Sequence, residues 1–486
     1  MGNIRSTTRL ACEGVPATLR DQARPDHVIV IQGRRGPEEA MVSAASIRYL
    51  PFDVPEGVTR IHVRQQLEHG ADPKQRGNID LGLFDPRGYA FGGPGFRGWQ
   101  GGMPGDLVLT GDIATSAPWY IPGPIPAGRW HLGQWFITSA PAGVSYTYTI
   151  TLSFDGPKPP ERMPDVPTYD LGVIVGAPGW YAGNLHAHTI HSDGRRTLEE
   201  LVEQNRAAGF HFLAPTDHNA TRPHYHFAEV AQAHPDHLLL AGVEVTSPYG
   251  HANIIGQYPG HWFDFRIDGG DGRLPGIITE AHRQGAVVML NHPFATCTTC
   301  AWRFPMDEWS EADAIEVWNG AWTPDDRLAV DWWDSLLKIG RRIHAYGGTD
   351  YHGGDNPLVP AIWVYANNLS QPAIMEGLRL GRTFLSEGPN GPKLYLTARG
   401  EVLPGGLITP GRDGTVPVAV RVVEGQGLLL RLVWATGEDK LSVKAGDVTL
   451  EYAVPVSPTR TASYVRVELL YPDGRVAALT NPIYIR

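Results

Sequence analysis

The sequence predicts an α/β chain in three parts, a strand-and-helix middle between two β-rich ends, and three observations predict it. Residues 1–160 and 391–486 read as short apolar strands cut by Gly and Pro turns. Residues 170–390 alternate apolar strands with amphipathic helical stretches, the rhythm of a parallel sheet or barrel. Within that middle, histidines and carboxylates recur just past the strands, where α/β barrels gather their chemistry.

At 486 residues the chain exceeds one compact core. Its 42% hydrophobic and 19% charged residues, with 57 Gly and 41 Pro, describe a turn-rich globular protein with a β-rich body. The net charge of −10 has no long single-sign block, so neither nucleic acid nor an anionic membrane is expected as a partner. Cys12, Cys297 and Cys300 are too few for a disulfide framework and fit a reducing compartment. The Cys297-Thr298-Thr299-Cys300 pair could be half a zinc site, but no second pair completes it; a thiol pair, plain or transiently oxidised, is the better reading. The N-terminus lacks the apolar run of a signal peptide, and no stretch reaches the length of a membrane span, so the expected location is cytoplasmic. Gly2 with Ser6 matches an acylation pattern, and Asn219 and Asn368 match glycosylation sequons, all short enough to recur by chance.

Taken in order, 28–31, 60–64, 79–84 and 146–152 are strands of an expected antiparallel sandwich, closed by the Pro-rich linker 157–164. Thr197 to Glu200 is a capping box opening a helix that runs to Ala208, with Gly209 as its stop. Strands are expected at 212–215, 238–245, 286–290, 314–318 and 343–346, with a helix near 276–283. From about 391, strands such as 418–422 and 464–470 indicate a second sandwich.

Six imidazoles and three carboxylates fall after the middle strands: His186, His188, Asp193, His218, Glu244, His251, His292, Asp350 and His352. A single histidine in a strand is most simply a satisfied structural residue, but so many groups converging on one mouth need cations, because desolvated carboxylates repel one another. Asp217 could ligate, although orienting a neighbouring ligand or donating a proton suits it better. His191 is an alternative to Asp193; His211 and His344 sit inside apolar patterns and read as structural; His224 and His226 could line the mouth or lie in a solvated loop.

His186-x-His188, the following Ser192-Asp193-Gly194, Thr216-Asp217-His218, Gly242-Val243-Glu244, Asn291-His292-Pro293 and Asp350-x-His352 together resemble the ordered motifs of the PHP (polymerase and histidinol phosphatase) metallohydrolase superfamily. Gly381 to Pro389 and the ending Asn481-Pro482-Ile483-Tyr484-Ile485 further resemble its carbaryl-hydrolase-like branch. The resemblance implies a distorted (β/α)7 barrel holding two or three divalent ions, and the mixed imidazole and carboxylate ligand types fit Zn, Mn or Fe. Carried onto this chain, it implies that His186, His188, Glu244 and Asp350 hold a first ion. Glu244 then bridges to a second with His251 and His292, and Asp193, His218 and His352 hold a third.

Such a centre implies hydrolysis by a water acidified between the ions, with no covalent enzyme intermediate. No Gly-x-Ser-x-Gly elbow competes with it. The expected activity is phosphoester hydrolysis of a small molecule, diesters and triesters included, with Glu244 and Asp217 as the catalytic candidates. Arg195, Arg196 and Arg222 follow ligand motifs and could clamp phosphate, and solvated surface roles are as good a reading. Phe294, Trp302, Phe304, Trp318, Trp322 and Tyr351 lie in the barrel loops; if some face the site they favour an aryl leaving group, which keeps a carbamate or aryl carboxylester hydrolase as the alternative. A binding protein with a relic barrel is the reading that the intact ligand set opposes.

Overall fold

The structure is a computed structural model and describes residues 3–7, 24–39, 43–69, 77–101, 106–138, 143–297, 299–456 and 463–486. Cys12 and Gly2 lie outside the described residues. The chain divides into two compact units. One holds residues 1–166 with the short segments His191–Asp193 and Trp262–Asp268; the other holds the rest of 167–486.

In the first unit, two antiparallel sheets share one apolar core. Alternation explains the packing. Val144–Ser153 buries every second residue, placing Tyr146, Tyr148, Ile150 and Leu152 inside, and is flanked in register by His27–Arg35 and Arg60–Glu68. The facing sheet is built on Gly128–Thr138 between Arg48–Val54 and Asn78–Phe84, and it contributes Trp130 and Leu132 to the same core.

The second unit carries the strand-and-helix region. α1 (Leu198–Ala208) starts at the expected Thr197/Glu200 capping box and ends at Gly209 in the left-handed conformation. α2 (Phe227–Ala233), α3 (Leu274–Arg283), α4 (Pro324–Lys338) and α5 (Gln371–Arg379) follow, each burying an apolar stripe. The strands form two sheets. Leu238–Leu239, Phe212–Leu213, Gly179–Asn184, Ala361–Ala366 and Thr383–Ser386 pair in that order, and the last continues into the C-terminal strands through Val476–Thr480. Gly242–Ser247, Gly250–Ile255, Val287–Leu290, Ala314–Asn319 and His344–Gly348 form the other.

Strand pairing therefore does not draw one continuous closed (β/α)7 barrel, and the protein is richer in strand than that expectation. Two isolated parallel bridges, Ala187–Tyr351 and His218–Glu244, join the two sheets. The run expected as one strand over 238–245 is split between the two sheets. Leu240 N–H donates to Leu213 on one side, and Gly256 N–H donates to Ala241 on the other, so the chain changes sheet at Leu240-Ala241. Toward the C-terminus a three-stranded sheet faces the extension of the long sheet over a common core of Leu394, Val420, Leu430, Val467 and Ile483.

Candidate metal centre

Backbone pairing sets the ligand loops before any side chain is considered. His188 N–H donates to Tyr351 O at 2.9 Å and Asp350 N–H to His186 O at 2.8 Å, so the His186-x-His188 and Asp350-x-His352 segments lie side by side. Asn184 locks them: its Oδ1 accepts from His186 N and Thr349 N, and its Nδ2 donates to Thr349 Oγ1 at 2.9 Å. Gly348 must lack a side chain, because a Cβ there would stand 2.2 Å from His186 Cβ. Gly194 is likewise required, since its Cβ would meet the His188 carbonyl at 2.3 Å and nothing but backbone could move.

Glu244 is fully buried at the middle of the cluster. Its Oε2 lies 3.5 Å from His186 Nε2, 3.5 Å from His188 Nε2 and 2.8 Å from His218 Nδ1, and its Oε1 lies 3.1 Å from His251 Nδ1 and 3.4 Å from His292 Nε2. Asp350 Oδ1 stands 3.0 Å from His188 Nε2 and 3.3 Å from His186 Nε2. Donor atoms gather within 4.8 Å of one another in overlapping groups: His186, His188 and Asp350; His186, Glu244 and His292; His218, Glu244 and His251. His188 also stacks against both His218 and His352, with ring centroids 4.4 and 4.1 Å apart.

The electrostatics are those of a nest built for cations. Burial disfavours charge on His186, yet Glu316, Asp350 and Glu244 outweigh it and raise its pKa well above the usual value. Burial likewise opposes charge on His292, and Glu244 and Asp350 raise it. His188 is pushed down to about 3 by burial and by its imidazole neighbours His352 and His218, and burial takes His251 down to about 4. Against their own burial, Glu244 and Asp350 are held well below the usual carboxylate range by the surrounding histidines. His251 Nε2 and His292 Nδ1 are buried with no hydrogen-bond partner. Buried polar atoms are rarely left so, and imidazole nitrogens facing carboxylate oxygens are the donor set of divalent transition ions, so the residues fit such ions.

Sequence reasoning missed the groups that aim these ligands. Glu316, 1% exposed on the strand Ala314–Asn319, accepts from His186 Nδ1 at 2.8 Å and from His292 N at 2.9 Å. Asn319 Nδ2 donates to both Glu316 and Asp350. Asn291 Nδ2 donates to Glu244 Oε1 and to Asn253 Oδ1, each at 2.8 Å. A charged residue at an inward position of a strand that otherwise buries all its neighbours was the available signal for Glu316. Asn219, His292 and Asp350 all have positive φ, of 53°, 25° and 46°, so backbone strain collects at the ligand loops.

The other expected site residues fall as follows. Both Asp217 oxygens accept from Thr189, at 2.9 Å from its N–H and 2.8 Å from its hydroxyl, which positions the turn after His188. Asp193 is half-buried and, with buried His191, belongs to the segment grouped with the first unit. Arg195 is exposed, and Arg222 is buried with Nη1 3.1 Å from His226 Nε2. Trp318 is buried with its indole N–H on Gly320 O, and Tyr351 lies in an apolar core with its hydroxyl on Gly354 O. Phe294 is half-buried, edge-on to Trp332.

His211 and His344 are structural, bonded to Ala182 N and Arg379 O. His224 is buried and bridges Gly242 O and Gly260 N, so it is neither at the mouth nor in a solvated loop. Asn219 is buried and doubly bonded to the Thr246 backbone, which removes it as a glycan acceptor. Cys297 and Cys300 are joined as a disulfide, the oxidised form of the expected pair, and their sulfurs are not half of a zinc site.

No family model and no curated protein matches the chain. Among solved structures it is similar to a two-domain protein from Bacteroides vulgatus containing a predicted PHP-like metal-dependent phosphoesterase, at 18% identity and a TM-score of 0.37, over 67% of this chain and 99% of that one. It is also similar to a candidate metal-dependent phosphoesterase from Bifidobacterium adolescentis, at 17% identity and a TM-score of 0.29, over 36% of this chain and 90% of that one. An amidohydrolase from Chromobacterium violaceum, solved with sulfate and no metal, matches at 18% identity and a TM-score of 0.28, over 36% of this chain and 88% of that one. Likenesses of this size carry no argument about chemistry, which rests on the side chains described above.

Proposed function

We propose that the protein is a metal-dependent hydrolase of small-molecule esters, with phosphoesters as its substrate class. The observation that carries this reading is the buried Glu244 carboxylate ringed by five imidazole nitrogens at 2.8–3.5 Å. Protons serve only part of that ring: the carboxylates favour charge on His186 and His292, while burial drives His188 and His251 to the neutral imidazole, the form that ligates cations. In this reading Glu244 would be shared between ions, His186, His188 and Asp350 would hold one, His251 and His292 a second, and His218 and His352, with Asp193 from the sequence pattern, a third. Divalent ions so bound would acidify a water near neutral pH and polarise the electrophilic oxygen of an ester. In this reading the isolated Ala187–Tyr351 and His218–Glu244 bridges would complete a ring of strands of the distorted-barrel kind, with the candidate ligands at its mouth.

Charge discriminates between substrates. Asp193, Asp217, Glu244, Glu316 and Asp350 are five carboxylates in this reading; two divalent ions would leave about −1, and three would leave about +1. A phosphate ester anion therefore requires the three-ion form. A two-ion centre carries no net positive charge and suits a carbamate or aryl ester, which is the second reading. Asp217 acts through Thr189 as a positioning group, and no serine or cysteine nucleophile is needed. Chromogenic phosphate mono-, di- and triesters assayed beside 1-naphthyl methylcarbamate separate the two: phosphoester cleavage is expected, and carbamate turnover with every phosphoester inert would overturn the choice.

A further inference from the structure

On α1, Glu199 and Glu203 lie one turn apart, at i and i+4, so their carboxylates share a face and repel. The residue that meets them is His234, which ends α2. One oxygen from each carboxylate and one His234 ring nitrogen lie within 4.8 Å of one another. The carboxylates are exposed, but His234 is only 9% exposed, and its Nε2 is buried with no hydrogen-bond partner. A buried histidine beside an acidic pair, with one ring nitrogen left without a partner, is costly to keep unless something binds there. None of these three residues belongs to the Glu244 cluster.

We propose that Glu199, Glu203 and His234 form a second divalent-cation site, taking a zinc-class ion that ties the start of α1 to the end of α2. Two carboxylates neutralise a divalent ion, one imidazole supplies the nitrogen that favours zinc-class metals over magnesium, and the open side leaves room for water to complete the coordination. Three ligands with two on a solvated helix face make a weaker site than the buried centre. Its occupancy follows free zinc, and its effect is to stabilise the fold as any ligand of the native state does.

The test compares full-length wild type, the double variant Glu199→Gln/Glu203→Gln and His234→Gln. Zinc per chain is measured by elemental analysis at fixed free zinc, and melting temperature with and without added zinc. The glutamine pair keeps shape and helix propensity and touches no residue of the Glu244 cluster. Removing charge from the first turn of α1 alters baseline stability slightly, so the zinc-dependent difference is the reading. Both variants should bind about one zinc fewer than wild type and lose part of the zinc-induced rise in melting temperature. Equal zinc content and equal zinc-dependent shifts in wild type and the glutamine pair would overturn the proposal, whatever metal the Glu244 centre holds.

Discussion

Glu244 and the residues that aim its neighbours show how much of a metal site lies outside its ligands. Glu316 touches two candidate ligands, accepting from the His186 ring and from the His292 backbone. A carboxylate behind a ligating imidazole fixes its tautomer and raises its basicity, and losing one typically weakens metal binding about 10–100-fold. Glu316→Gln should therefore fold, keep the ligand set, and lose metal affinity by about that factor in a chelator competition; unchanged affinity would remove Glu316 from the site. Gly348→Ala should be harsher, because the new methyl meets the His186 side chain and backbone. Lower melting temperature together with reduced metal content is the expected outcome, and a stable, fully loaded variant would show that His186 has room to shift. The candidate ligands stand out in the sequence because their types and order are chemically odd for strand ends. Glu316, Asn291 and Asn319 were harder to see, since a polar residue in a strand acquires meaning only when the partner strand is known.

Among the elements, α4 is tied to the strand Ser463–Leu470 by a buried charge network. Glu468 is fully buried and takes Arg466 Nη1 at 2.6 Å, Arg431 Nη1 at 3.1 Å and Arg327 Nη1 at 3.2 Å, while Asp334 on α4 takes Arg466 Nε at 2.9 Å and the Tyr464 hydroxyl at 2.7 Å. Burial alone would raise the Glu468 pKa; Arg466, Arg327 and Arg431 overcome it and hold the group far below the usual glutamate value of 4.5. Breaking a buried pair from one side strands the other charge and costs about 3–5 kcal/mol. Glu468→Ala should lose that much in denaturant unfolding at pH 7. Because the folded pKa is depressed, this stabilisation is complete above about 4.5 and disappears as pH falls through the folded value, so the gap between wild type and Glu468→Gln should narrow on acidification. A gap independent of pH would mean that packing, not charge, sets it. The sequence marked 464–470 as an apolar strand, but a pattern of alternate residues does not say which helix a charged position will face.

At the scale of the whole molecule, α1 and most strand positions followed from caps and periodicity, which are local. What did not follow was connection. The 238–245 run looks continuous, yet its two halves pair with different partners, Phe212–Leu213 on one side and Gly250–Ile255 on the other. The strand Thr383–Ser386 hands the long sheet to Val476–Thr480, so the C-terminal strands share a sheet with the site-bearing region. Such pairings are decided by long-range fit. Ions that bind only the folded ligand set stabilise it by mass action. Stripping the protein with a chelator should lower its melting temperature, and restoring zinc or manganese should return it; a melting curve indifferent to chelation would place the cluster outside the protein's stability.

The most direct measurement is metal per chain, by elemental analysis after dialysis to remove loose ions, in the Glu199→Gln/Glu203→Gln background so that only the buried centre is read. With Glu244 intact, two or three divalent ions per chain are expected. Glu244→Ala should lose most of that metal and all turnover while keeping the fold, because its carboxylate stands within 3.5 Å of all five imidazole nitrogens around it. A metal-free protein that hydrolyses esters, or a Glu244→Ala variant with full metal content and full activity, would contradict the account.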